Sequence, residues 1–316
     1  MSRRSMLAAA GLAALAPFVA ANGAAVPIPA LGRLITLPIA STLVAPRSIF
    51  VWLPEGYDEN PWAYPVLYAP GGEALFADAP GGSVNAPGID EHVAGLAFAG
   101  EIRVPIIVAI GRGEQHVREF LPAAPVAMMP TSLRGDVERQ AGGPLLSDRY
   151  VRFLASELKP MIDRHFRTLP GAADTAILGS GLAGLTSLYA LMECPLVFGA
   201  AGCLSERQSP VDLVPASGAA TMEVAMSRYL KRALPGAGTH RLYVDFGDVA
   251  HDQAKSMLHK ALDGVAHAKG YVEGFDLISA TRESAEENEM QRIDRTDTAL
   301  TMLLGGRCRQ KGGRSD

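Results

Sequence analysis

The stretch ILGSGLAGLTSLYALME, Ile177 to Glu193, runs from an apolar segment through closely spaced glycines into residues that suit a helix. A strand that turns this sharply into a helix presents its turning residue at the carboxyl end of a sheet, where α/β proteins place their sites. The alternation continues on both sides. Upstream, RSIFVWLP (47–54), PVLYAP (65–70) and PIIVAIG (105–111) are apolar runs closed by turn residues, and they read as strands, the later ones buried on both faces. DRYVRFLASELKPMIDRHFR then reads as a helix, with Val151, Leu154, Leu158, Met161 and Ile162 at helical spacing, Ser147 and Asp148 as caps, and Pro160 as the cause of a bend. Downstream, strands over 175–179, 197–204, 241–246 and, more weakly, 275–280 alternate with helices over 183–193, 219–232, 252–268 and 288–304. Residues 71–88 read as a Gly/Pro/Ala-rich loop, and 123–144 as an irregular insertion that covers the site. The pattern predicts an α/β fold: a mostly parallel sheet with helices on both faces, formed by a single domain over 26–306, with no internal repeat and no Pro/Ser-rich linker.

A chain of 316 residues, 48% hydrophobic and 20% charged, is long enough to bury a large core. Its formal net charge of −4 gives no electrostatic reason to expect a nucleic-acid partner. The basic cluster GGRCRQKGGRSD closes the chain in a Gly-rich tail, 307–316, that reads as disordered. MSRRSMLAAAGLAALAPFVAANGAA has a basic start, an Ala/Leu-rich run broken by Pro17 and small residues suited to cleavage, so residues 1–25 read as an export signal. Ser2-Arg3-Arg4-Ser5-Met6-Leu7 resembles the twin-arginine pattern, with ordinary secretion as the alternative route. The run is too short and weakly apolar for a confident span, and the mature protein is expected in the periplasm or outside the cell. Cys194 closes a helix and Cys203 ends the next strand, at opposite edges of the sheet, so they are not expected to pair; Cys308 falls in the tail.

Three segments, LPEGYDENPWAYPVLYAPGGEALF, IIVAIGRGEQHVREFLP and YVRFLASELKPMIDRHFRTLPGAADTAILGSGLAGL, follow one another as in the putative-esterase (esterase D-like) family. That family includes S-formylglutathione hydrolases, feruloyl and siderophore esterases, and mycolyltransferases. The resemblance runs from about Ser48 to about Gly306 and implies an α/β-hydrolase fold with an acyl-transfer site.

Family members carry a GxSxG elbow whose serine is served by a base and an acid on later loops. Here the residues are Gly179-Ser180-Gly181-Leu182-Ala183: Gly181 stands at the serine position and Ala183 at that of the last glycine. Glycine accepts the strained backbone of that turn without a Cβ penalty. A GxSxG frame centred on Ser180 would need glycines at 178 and 182, where the chain has leucines, and a shift of one residue turns the side chain in another direction. Where relatives have a histidine, the resemblance places Glu287, and no histidine follows His267. A serine nucleophile needs such a base. The acid position is matched best by Asp252, with Asp248 as the alternative, while Asp252 also suits a helix cap. The backbone N–H groups of Gly72 and Glu73, with that of Leu182, suit an oxyanion-hole-like nest. No metal motif and no cofactor motif is present. The expectation is an exported esterase-like protein that has lost hydrolysis and binds an ester-like or acyl small molecule, or a protein partner; the alternative is a carboxylic-ester hydrolase or acyltransferase using Ser180.

Overall fold

The computed structural model describes residues 29–37, 39–76, 88–204, 218–247, 253–282 and 289–306. The expectations for the export signal, the tail with Cys308, and the candidates Asp248, Asp252 and Glu287 lie outside the described residues.

Eight strands form one sheet: β1 (Arg33–Leu37), β2 (Ile49–Leu53), β3 (Val66–Pro70), β4 (Ile106–Ile110), β5 (Thr175–Ser180), β6 (Ala200–Leu204), β7 (Arg241–Gly247) and β8 (Leu277–Arg282). Their spatial order is β1-β2-β4-β3-β5-β6-β7-β8. β2 runs antiparallel to both neighbours, and every pair from β4 through β8 is parallel. This is the α/β-hydrolase architecture. Strands β2, β3, β4 and β6 are buried along their whole length, as their unbroken apolar runs predict.

Helices cover both faces. One carries α2 (His116–Phe120), α3 (Ala123–Ala127), α4 (Thr131–Gln140), α5 (Ser147–Phe153), α6 (Lys159–His165), α7 (Leu182–Glu193), α8 (Ala219–Ala233) and α9 (Gln253–Ala268), packed through residues such as Val137, Phe153, Ile162, Leu191, Tyr229 and Val265. The other carries α1 (Ile89–Phe98) and α10 (Glu289–Leu304), whose Ile89, Val93, Leu300 and Leu303 meet Leu67, Leu178 and Tyr243 of the sheet. Strand alternation sorts neighbours between the two faces: Ile177 belongs to the first cluster, Ala176 and Leu178 to the second.

Four local expectations change. The insertion over 123–144 is largely helical, as α3 and α4. Ser147 and Asp148 are not caps: Leu146 is the cap residue and makes no side-chain cap bond, Ser147 Oγ accepts the N–H of Ala123 at 2.8 Å, and Asp148 accepts the hydroxyl of Tyr189. Pro160 is accommodated by a π turn over Leu154–Leu158, closed by Lys159 N–H on the carbonyl of Leu154, which reroutes the bonds that a proline would otherwise break. The strand expected over 197–204 begins at Ala200, and β8 extends two residues beyond the expected Ala280. Cys194 and Cys203 are both free, as expected from their positions.

Candidate functional site

The turn from β5 into α7 stands at the carboxyl edge of the sheet. Ser180 closes β5 in register with Leu204, and the next N–H, that of Gly181, donates to the Leu204 carbonyl at 2.8 Å. Gly181 then takes φ 58° and ψ −126°, a conformation that L side chains adopt only under strain, and its carbonyl accepts the N–H of Leu185 at 3.1 Å. Close packing fixes the surroundings. A Cβ at Gly179 would lie 2.5 Å from the Ala183 carbonyl carbon, and one at Gly184 would lie 2.7 Å from Cys203 Sγ. The first turn of α7 therefore folds back onto β5 and β6 through two obligatory glycines. On the helix the residue that admits no side chain against β6 is Gly184, one residue beyond the motif position held by Ala183.

Gly181 thus occupies the elbow, and Ser180 sits beside it as a strand residue. By alternation Ser180 shares its face with Leu178, toward α1 and α10, whereas α7 covers the opposite face. Leu182 is buried at the first turn of α7, where a backbone N–H has no intrahelical partner.

The opposite wall is the loop after β3. Gly71, at φ 66°, donates its N–H to the Ile110 carbonyl at 2.8 Å, tying this loop to the end of β4. Gly72 opens a 3-10 turn, Gly72–Leu75, that includes Glu73 and rests so closely on the sheet that a Cβ on Gly72 would stand 2.7 Å from that of Ala69. The Arg112 side chain packs over Gly71, 3.2 Å from where a Cβ would stand. Since β3 adjoins β5, the turn at Gly72–Glu73 and the first turn of α7 flank one another along the edge.

Two buried ion pairs, which sequence reasoning missed, brace this edge. Arg47, just ahead of β2, is held by Glu119 of α2 at 3.0 and 2.6 Å, with both side chains essentially inaccessible and the guanidinium near the rings of Tyr150 and Phe153. On the other side of the elbow, Asp245 of β7 is gripped by Arg295 of α10 at 2.6 and 2.9 Å and accepts the Tyr243 hydroxyl at 2.9 Å. Asp245 is the described carboxylate of the stretch that the resemblance assigns to the catalytic acid. It faces α10, away from the elbow helix. No signal in the sequence separates it from Asp248 and Asp252; the reach of Arg295 across 50 residues does.

The histidines near these strands are otherwise engaged. His240 Nε2 lies 3.0 Å from the Pro195 carbonyl, and His259 Nε2 lies 2.9 Å from Ser279 Oγ on β8, three strands from β5. Burial lowers the His259 pKa, the nearby carboxylate of Asp263 opposing it. Cys203, under Gly184, has its thiol pushed up to about 12, first by burial and then by Asp245, with Arg295 opposing. Among the described residues no group of acids, histidines and cysteines has the arrangement of a metal site. A cavity of about 790 Å³ lined by His240, Arg241, Phe275, Ile278 and Met302 opens at the far, amino edge of β7 and β8 and is separate from the elbow.

Comparison with known proteins places the fold among solved esterases. An IroE-like serine hydrolase of Shewanella oneidensis superposes with a TM-score of 0.56 at 18% identity, over 86% of this chain and 80% of that one. The enterobactin esterase Fes of Shigella flexneri gives 0.56 at 16% identity, over 88% and 60%. A ferulic acid esterase gives 0.52 at 16% identity, over 87% and 98%. In sequence, the uncharacterized protein YbbA of Bacillus subtilis is 23% identical over 160 residues, half of this chain, which spans 56% of that relative's length. The family model described as putative esterase matches residues 40–286, most of the chain. The chain belongs to the putative-esterase family.

Proposed function

We propose that this chain is a member of its family that has given up ester hydrolysis and uses the elbow to bind an ester-like or acyl small molecule. The observation that carries the reading is Gly181, which holds the φ 58°, ψ −126° turn between β5 and α7 and has no side chain to attack with. What persists is a cradle: the first-turn N–H groups of α7, the backbone at Gly72 and Glu73, and Arg112 packed over Gly71. Such donors favour a carbonyl or carboxylate oxygen. The replacement of the family's histidine by Glu287, and the acid candidate Asp252, belong to the same reading, as does export through the Arg3-Arg4 leader to the periplasm or beyond. A protein partner seated over the elbow is the variant of this reading in which the ligand is macromolecular.

The test is exposure of the purified chain to a reactive fluorophosphonate, with intact-mass analysis, peptide sequencing and a model-ester assay. The expected outcome is no adduct and no turnover, with saturable binding of short-chain acyl carboxylates that Arg112→Ala weakens. A stoichiometric adduct on Ser180 together with turnover overturns the proposal and establishes a hydrolase with a relocated nucleophile.

A further inference from the structure

α8 and α9 each connect parallel strands, so they run in the same direction, pack side by side on the face opposite α1 and α10, and end toward the amino edge of the sheet. Near those ends they bound an open groove of about 480 Å³. Ser227 and Lys231 of α8 form one wall, Lys260, Gly264 and Ala268 of α9 form the floor and the other, and Lys269 closes the end. Each set recurs at four residues and therefore lines one face of its helix. The walls are basic. Among the described residues the ammonium groups of Lys231, Lys260 and Lys269 meet no carboxylate, whereas Arg33, Arg103, Arg139 and Lys159 are paired with Asp58, Asp174, Asp136 and Asp163. The acids of α8 and α9 are placed elsewhere: Glu223 is buried and Asp263 lies 3.4 Å from His267. This basic surface stands on a chain whose formal net charge is −4.

Helix ends explain part of this arrangement, since the last carbonyls of a helix favour cations such as Lys231 and Lys269. They do not explain Lys260, which stands mid-helix, or Gly264, which weakens a helix interior. A Cβ at Gly264 would meet nothing within 4 Å, so packing inside the chain does not demand a glycine there. Gly95 and Gly135 have the same freedom, and a glycine alone marks no site; Gly264 differs by sharing a groove with three lysines. The shape of the groove then selects its occupant. Lys269 still donates its N–H to the Val265 carbonyl at 3.0 Å, so from Lys260 to Lys269 the chain advances helically by about 14 Å at ~1.5 Å per residue. A single small anion does not reach both ends. No aromatic side chain lines the groove, which leaves the bases of a nucleic acid nothing to stack upon. A helix laid along it sets carboxylates two turns apart at about 11 Å, within reach of flexible lysines, and rests small apolar side chains on Gly264 and Ala268.

We propose that the groove between α8 and α9 docks an amphipathic helix of a partner protein, whose stripe of Asp or Glu meets Lys231, Lys260 and Lys269. A second copy of this chain does not offer such a helix among its described residues. Of the described helices α10 alone sets two acids three residues apart on one face, Asp294 and Asp297; both line a hollow, and Asp297 is engaged by His92. The groove lies toward the amino edge, away from the elbow, so this docking is separate from ligand binding there.

The probe is a fluorescein-labelled, stapled Ala/Leu helix of ~18 residues with glutamates two turns apart on one stripe, titrated with the full chain by fluorescence anisotropy. The expected result is saturable binding that weakens as salt is raised, and no binding of the same helix with lysines in place of its glutamates. The variant Lys231→Ala/Lys260→Ala/Lys269→Ala is expected to lose about 10-fold in affinity. Gly264→Leu, which fills the groove, is expected to lose about as much while melting no lower than the parent, because leucine favours a helix over glycine. Failure of the glutamate helix to bind the parent chain overturns the proposal. So does either variant, shown to be folded by its melting curve, that binds as the parent does. Competition by oligouridylate as effective as by unlabelled peptide overturns it in favour of a nucleic acid, and equal competition by inorganic phosphate in favour of a small anion.

Discussion

Replacing Gly181 by serine puts a Cβ on a backbone held at φ 58° and ψ −126°, a region costing an L residue of order 1–3 kcal/mol. Gly181→Ser is therefore expected to lower stability by about that amount in thermal or denaturant melts. On the proposed reading, in which Glu287 replaces the family's histidine, ester turnover is expected to stay at background. Cys203 gives a second test at this scale. Its thiol is raised from 9.0 to about 12, chiefly by burial, so iodoacetamide at mildly alkaline pH is expected to leave it unmodified until the chain is unfolded. The sign for stability follows from the same shift. The protonated thiol is favoured in the fold, so its contribution is whole below the unfolded pKa and is lost as pH rises from there toward 12. Gly181 was legible as the elbow because residue types around it are constrained by contact: Gly179 and Gly184 admit no side chain. Asp245 was illegible, since its partner Arg295 lies 50 residues away and nothing local distinguishes one aspartate of VDFGDVAHD from the next.

The elements bordering the elbow are pinned by charge as well as packing. Glu119→Gln leaves the Arg47 guanidinium buried without its counter-charge, and a loss of about 3–5 kcal/mol is expected from the denaturant midpoint. The paired change Arg47→Met with Glu119→Leu is expected to recover most of it, because neither buried charge then remains. Strands β2, β3, β4 and β6 could be read from their sequence because burial on both faces leaves unbroken apolar runs. β1 escaped, being a five-residue edge strand that is only half buried. α1 escaped because its cap is Gly88, whose N–H is bonded by Glu91 at 2.9 Å, and the usual Ser or Asp signature is missing. α4 buries only Val137 and so shows no apolar stripe, while α3 is five residues long and contains Pro125.

The order of strands and helices along the chain was legible because a period of two alternates with a period of 3.6, and helices between parallel strands leave few topologies open. Which strand lies beside which was not, since the sheet order places β4 between β2 and β3, and only the packed structure decides that. The pairing of α1 with α10 has a consequence for the birth of the molecule. His92 meets Asp297 across 205 residues, and Leu300 and Leu303 close the apolar face on which Ile89 and Val93 also rest. During synthesis at about 5–20 residues per second, the roughly 205 residues between the two helices leave that face half covered for about 10 to 40 s. That apolar face is accordingly completed only once α10 has been made, and until then it is the kind of exposed surface through which nascent chains meet one another.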